Sequence, residues 1–298
     1  MSITSAMFSG VSGLLANAEG INVIGNNLAN VNTVGFKYNR MLFADMMYVD
    51  AGNGSQLGRG TQIQKIDAVM GQGAFENTEV VTDLAIQGEG FFALGTPNSA
   101  AGSTVTAADA YYTRAGTFRL GAAAGGYLPL QTPMGYRVLD ESGTPIFLPQ
   151  NIPAAAPAPA YEFQKISSIE NNGVISVLYA DAAGNPLTMY YCGTTTANYI
   201  SNNIAQAKRV GYATVNNPPA LSKEGGTLFR PTVASGTPTI TKANGNNSKI
   251  FSNSLEQSNV DMAAQFVKMI LTQRAYSANS KTITTADEMT QEVLNLKR

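Results

Sequence analysis

Chemistry needs convergent reactive groups, and this chain offers few. It has no histidine, which removes histidine-based triads, the commonest general acid–base residue and most catalytic zinc sites. Its one cysteine, Cys192, cannot form an internal disulfide or a metal-binding cysteine cluster. No GxGxxG or Walker loop is present, and the pairs Gly71-Gln-Gly73 and Gly88-Glu-Gly90 read as turns, not phosphate cradles. No HExxH, CxxC or DxDxDG spacing marks a metal site. Asn53-Gly54-Ser55 and Asn246-Asn247-Ser248 fit the glycosylation pattern, as short stretches do by chance. Tyr111, Tyr112, Tyr190 and Tyr191 could line a groove, but paired aromatics in strands usually serve packing. The expectation is no catalytic, cofactor-binding or metal site, and no enzyme.

Composition narrows the class further. Of 298 residues, 44% are hydrophobic, enough for a core, and 13% are charged, against about 25% in ordinary soluble domains. Nineteen basic and 20 acidic residues leave a net charge of -1, which gives no electrostatic basis for nucleic-acid binding. The first 36 residues carry one charge, Glu19, and polar residues interrupt every apolar run. A soluble protein without a membrane span or a cleaved signal is expected.

The elements that would hold any site are helical at the two ends and β in the middle. Met7, Val11, Leu14, Ala18, Ile21, Gly25 and Leu28 step by four and three, an a/d seam with a weak position at Gly25. Fraying near Gly25 and an end before Asn32 are expected. The period is met equally by an ordinary amphipathic helix on a globular core. From Ser254 to Arg298 there is neither Gly nor Pro. The spacing predicts a helix from about Leu255 to Leu296, capped at Ser254 or Ser258. Val260, Ala264, Val267, Leu271, Ala275, Ala278, Thr282, Ala286, Met289, Val293 and Leu296 form one stripe. Leu255, Met262, Phe266, Met269, Tyr276 and Ile283 form another. Two stripes on so long a helix need other chains to cover them. The alternative is a break at the β-branched run Thr282–Thr285.

Between the ends, Thr61–Ala68 alternates as a strand, and Leu84–Ile86 and Phe91–Leu94 read as two strands about a turn. Further short runs reach Tyr191, with Gly173–Tyr179 and Leu187–Tyr191 facing across Asp181–Gly184. An all-β barrel or sandwich follows. Thr96–Ala110 and Ala154–Ala160 read as loops and Gly236–Ser248 as a polar linker.

Several motifs carry a resemblance. Gly25-Asn-Asn-Leu-Ala-Asn-Val-Asn-Thr-Val-Gly-Phe-Lys37 resembles the N-terminal signature of the bacterial flagellar rod and hook proteins. Asp83-Leu-Ala-Ile-Gln-Gly-Glu-Gly-Phe-Phe92 and Tyr112-Thr-Arg-Ala-Gly-Thr-Phe118 are similar to that family's central motifs. Gln273-Arg-Ala-Tyr-Ser-Ala-Asn-Ser-Lys281 and Asp287-Glu-Met-Thr-Gln are similar to its C-terminal signature. The resemblance implies an α+β protein whose paired, coiled-coil-like terminal helices enclose the β region. It implies self-polymerisation into a tube outside the cell, with helices inside and β domains outside. It also implies no cofactor, no membrane insertion, and export by the flagellar type III apparatus without signal cleavage. The expected division is helical at 1–30 and 255–298, connecting at 31–70 and 241–254, and β-rich at 71–240, with a small outer β subdomain around 151–205.

The expected polymer interface combines Met7, Val11, Leu14, Ala18, Ile21 and Leu28 with Met262, Phe266, Val267, Met269, Leu271, Tyr276, Ile283 and Met289. Asn26, Asn27, Asn30 and Asn32 are odd choices for a plain helix, since their amides compete for backbone bonds. In a packed tube they would pair with neighbours or with backbone, Gly35 would turn the chain outward and Phe36 would anchor it. The closing Val293-Leu-Asn-Leu-Lys-Arg298 is most similar to hook members. That makes the expected function a subunit of the extracellular hook, which passes torque from rod to filament. Its neighbours would be the distal rod protein, the hook cap and the hook–filament junction proteins. A rod subunit, distal or proximal, is the alternative within the family, and a secreted β-rich binding module the alternative outside it.

Overall fold

The structure is a computed structural model and describes residues 3–52, 54–123, 125–152, 160–193, 200–243, 245 and 248–296. The chain is α+β, with a helix near each end and β structure between them. It divides into two compact units. One holds the residues up to Asn32, Lys37–Met70 and those from Val260 onward; the other holds Thr33–Phe36 and Gly71–Asn259. No described helix is long and apolar enough to cross a membrane.

In the first unit, α1 (Ile3–Ala29) runs unbroken through Gly25. Glycine in a helix interior costs up to about 1 kcal/mol; Gly25 has no close neighbour, and close packing stands against that cost at three other glycines. Gly10, Gly13 and Gly20 are buried and face α2 (Met262–Leu296). A Cβ added at Gly10 would stand 2.8 Å from Thr282 Oγ1, and one at Gly13 2.7 Å from Asn279 Nδ2. The two helices therefore run antiparallel in close approach.

The second helix starts later than its periodicity predicts. Asp261 Oδ1 accepts from Ala263 N at 2.9 Å and Ala264 N at 3.2 Å, an N-cap, and neither Ser254 nor Ser258 starts a helix. Leu255 lies instead in the strand Ser254–Glu256. The threonine run does not break α2; the hydroxyls of Thr282, Thr284 and Thr285 donate back to carbonyls three or four residues earlier within the continuing helix. Beside the helices, β1 (Asn39–Asp45), β2 (Val49–Gly52), β3 (Ser55–Leu57) and β4 (Thr61–Ala68) form a ribbon. Its antiparallel pairs are β1 with β4 and β2 with β3.

The second unit is built on sheets. It contains β5 (Phe75–Asn77), β6 (Leu84–Gln87), β7 (Phe91–Gly95) and β8 (Tyr111–Thr113). The last two sit inside a ten-stranded sheet, and a five-stranded sheet spans Asn151–Ile152 to Ile200–Ser201. The runs around Leu84 and Phe91 are not a hairpin as expected. Strand β6 pairs with Lys249–Ser252, and β7 with β8 and two other strands. The hairpin across Asp181–Gly184 forms as its turn residues predict. Part of the expected polar linker, Thr239–Thr241, is a strand paired with Tyr212–Thr214. Residues 154–159 of the expected loop and the asparagines of both glycosylation-like triplets, 53, 246 and 247, lie outside the described residues.

Candidate assembly interface

The asparagine-rich segment ends α1 with one buried member. Asn27 Nδ2 donates to the Asn39 carbonyl at 2.8 Å, and Asn39 N donates back to Asn27 Oδ1 at 2.8 Å. The same amide reaches Gln265 Oε1 at 3.3 Å. Asn27 thus ties α1, the start of β1 and α2 together. Asn26 and Asn32 are exposed, and Asn30 Nδ2 donates to the Asn26 carbonyl at 2.8 Å. Leucine at position 27 would strand the Asn39 backbone pair and the Gln265 amide, at about 1–3 kcal/mol for each buried group left unpaired. Asn27→Leu is expected to speed amide exchange across residues 22–40 while the β unit melts unchanged. Calorimetry with hydrogen exchange checks both.

Within the second unit, the motif residues tie one knot. Gly35 has φ +69°, where a side chain is strained, and an added Cβ would overlap the backbone of Arg114 and Ala115. Its N–H donates to the Glu256 carbonyl at 2.7 Å. The Glu256 carboxylate takes Arg114 Nη1 at 3.2 Å and the Gly73 N–H at 2.8 Å. Arg114 also donates to the Gly88 carbonyl at 2.7 Å and lies 5.3 Å from the Phe91 ring centroid. Both charged side chains are buried. Phe36 is half-buried under Lys223 Nζ, 5.6 Å from its ring centroid, and burial pulls the Lys223 ammonium below its ordinary range.

The remaining motif positions are packing requirements. Phe92 and Phe118 meet edge to face at 5.1 Å, a favoured aromatic geometry. Asp83 pairs with Arg119. Gly116 accepts from Leu84 N at 3.0 Å, and an added Cβ would overlap the Leu84 carbonyl oxygen. Gly116→Ala is therefore expected to lower the soluble folded yield severely, read by circular dichroism and thermal melting.

The apolar stripes lie elsewhere. The face that α1 turns inward is Gly10, Gly13, Ala16, Gly20, Val23 and Asn27, small or polar for the most part. The expected seam sits beside it, with Met7, Leu14, Ala18, Ile21 and Leu28 part-buried and Val11 exposed. On α2 only Gln265 and Ala286 are buried. Met262, Phe266, Val267, Leu271, Tyr276 and Met289 are exposed, while Met269 and Ile283 are part-buried. So many large apolar groups on one helix pair form a surface suited to association. Residues 10, 13 and 20 were the available signal for the inner seam, since small residues at helical spacing let backbones approach. Nothing local marked Glu256 as the partner of Arg114, because 142 residues separate them.

Comparison with known proteins matches both helical ends and then the whole length. The family described as flagella basal body rod protein matches residues 7–37, and that described as flagellar basal body rod FlgEFG protein C-terminal matches 252–296. The flagellar basal-body rod protein FlgG of Bacillus subtilis is 34% identical over 98% of this chain and 99% of its own. The chain belongs to the flagellar rod and hook protein family. This is a family of structural proteins, not enzymes. Within it, the hook reading is overturned. FlgG of Borreliella burgdorferi is 30% identical over 98% of both chains. The flagellar hook protein FlgE of the same organism is 38% identical over only 38% of this chain and 26% of its own. The closing Val293–Arg298 run misled because the C-terminal family model matched over 252–296 is described for FlgE, FlgF and FlgG together, so this end does not distinguish hook from rod members.

Proposed function

We propose that this chain is a structural subunit of the flagellar rod in the basal body, and that copies assemble through the apolar faces of α1 and α2. The observation that carries the reading is similarity to rod proteins along the entire chain, joined to helix faces that its own fold leaves uncovered. Burying such surface yields about 25 cal/mol per Å², which neighbouring copies would supply. The terminal helices, coiled-coil-like in their antiparallel pairing, would line the tube. The β unit would face outward, its two sheets packed as a sandwich on one core that includes Phe92, Phe118, Ile175 and Tyr179. The five-stranded sheet would be its outermost part. Adjoining axial proteins and the flagellar export apparatus are the partners this role requires. Imaging basal structures from cells lacking the gene tests it. Absence of both rod and hook supports a rod subunit; complete rods without hooks would overturn it.

A further inference from the structure

The helix pair has an open groove on one side of α1. Phe8, Val11 and Leu15 stand at i, i+3 and i+7, and with Met46 and Arg59 of the ribbon they line a groove of 550 Å³. Phe8 is 72% exposed and Leu15 64%. Among the described residues the one charged residue lining the groove is Arg59.

The register of the helices supplies a complementary piece. Asn27 stands by Gln265, Gly13 by Asn279 and Gly10 by Thr282. Ile3 therefore lies level with about Met289, at 1.5 Å of rise per residue in both helices, and Thr290–Leu296 run on past the described part of α1. Met289, Val293 and Leu296 form an exposed stripe at i, i+4 and i+7. From Asp287 to Leu296 the charges are Asp287, Glu288 and Glu292, all acidic, and the basic Lys297 and Arg298 follow in the sequence.

We propose that the groove receives this acidic, apolar end of α2 from a second copy, head to tail. The inference rests on the assembly reading above and names the contact. The stripe of one helix enters the groove beside the stripe of another, and Glu288 and Glu292 come beside Arg59. A chain's own α2 end cannot fill its groove. Val11 lies level with about Lys281, and Val293 is about 18 Å farther along the axis. Each copy then offers one groove and one end, a heterologous contact that propagates and does not stop at a dimer.

The test is a Val11→Cys, Val293→Cys chain in a Cys192→Ser background, oxidised mildly after sedimentation of assembled material. Both new cysteines occupy exposed positions, so folding is retained. A ladder of covalent multimers, collapsed by reductant, is expected. Arg59→Glu should cut the cross-linked yield at least tenfold, and adding Glu288→Arg with Glu292→Arg should restore it. Sedimented protein giving no cross-link, or dimers alone, overturns the groove contact and leaves assembly standing. A chain that never sediments overturns the assembly reading, and the groove contact with it.

Discussion

Phe266→Asp and Leu271→Asp chains will fold and fail to assemble. Both side chains are largely exposed, Phe266 at 49% and Leu271 at 62%, so a carboxylate there is solvated in the free chain and costs its fold little. In an assembly that covers the α2 face, the same carboxylate loses its water and gains no partner. The effective penalty is several kcal/mol per buried ion, and every 1.4 kcal/mol is tenfold in affinity. The critical concentration should therefore rise by roughly 100-fold or more at each such contact. Sedimentation of the purified variants, with thermal melts of the β unit alongside, reads both halves of the expectation. Wild-type sedimentation from both variants would mean that this face stays wet in the assembly.

Glu256→Ala will be the most destabilising single change in the β unit. It leaves the Arg114 guanidinium buried without its counter-charge and removes the acceptor of the Gly73 N–H. Breaking a buried ion pair from one side costs about 3–5 kcal/mol. For a unit of this size that corresponds to a fall of roughly 10 °C in Tm. A paired Arg114→Met, Glu256→Leu chain should recover much of the loss, since apolar groups of similar volume replace buried ion pairs at little cost. Differential scanning calorimetry of the three chains decides it. Equal losses for the single and the paired variants would mean that packing, not charge, sets the cost.

The helices and many strands were legible because their signals are local. The α2 stripes and the alternation of Thr61–Ala68 needed no distant partner to be seen. What stayed hidden depends on long-range pairing. Leu84–Gln87 and Phe91–Gly95 look like a hairpin across a glycine turn, yet β6 finds its partner in Lys249–Ser252, more than 150 residues away. The start of α2 was misplaced because Leu255 fits the helical period while its backbone is taken by Phe75–Asn77. At the interface, large apolar residues drew attention to the outer faces, whereas the inner seam of Gly10, Gly13 and Gly20 carries almost no hydrophobic signal.

That knot around Glu256 also has a mechanical meaning. The chain touches the β unit at Thr33–Phe36, returns to it at Gly71 and leaves it through Gln257–Asn259, and these passages are bonded to one another. Gly35 N donates to the Glu256 carbonyl, Asn259 N to the Phe36 carbonyl at 3.4 Å, and Asn259 Nδ2 to the Gly71 carbonyl at 3.1 Å. Tension or twist arriving along one passage is shared by the others. The root of the β unit is thus cross-braced, since its three chain crossings are held to one another by hydrogen bonds within that unit.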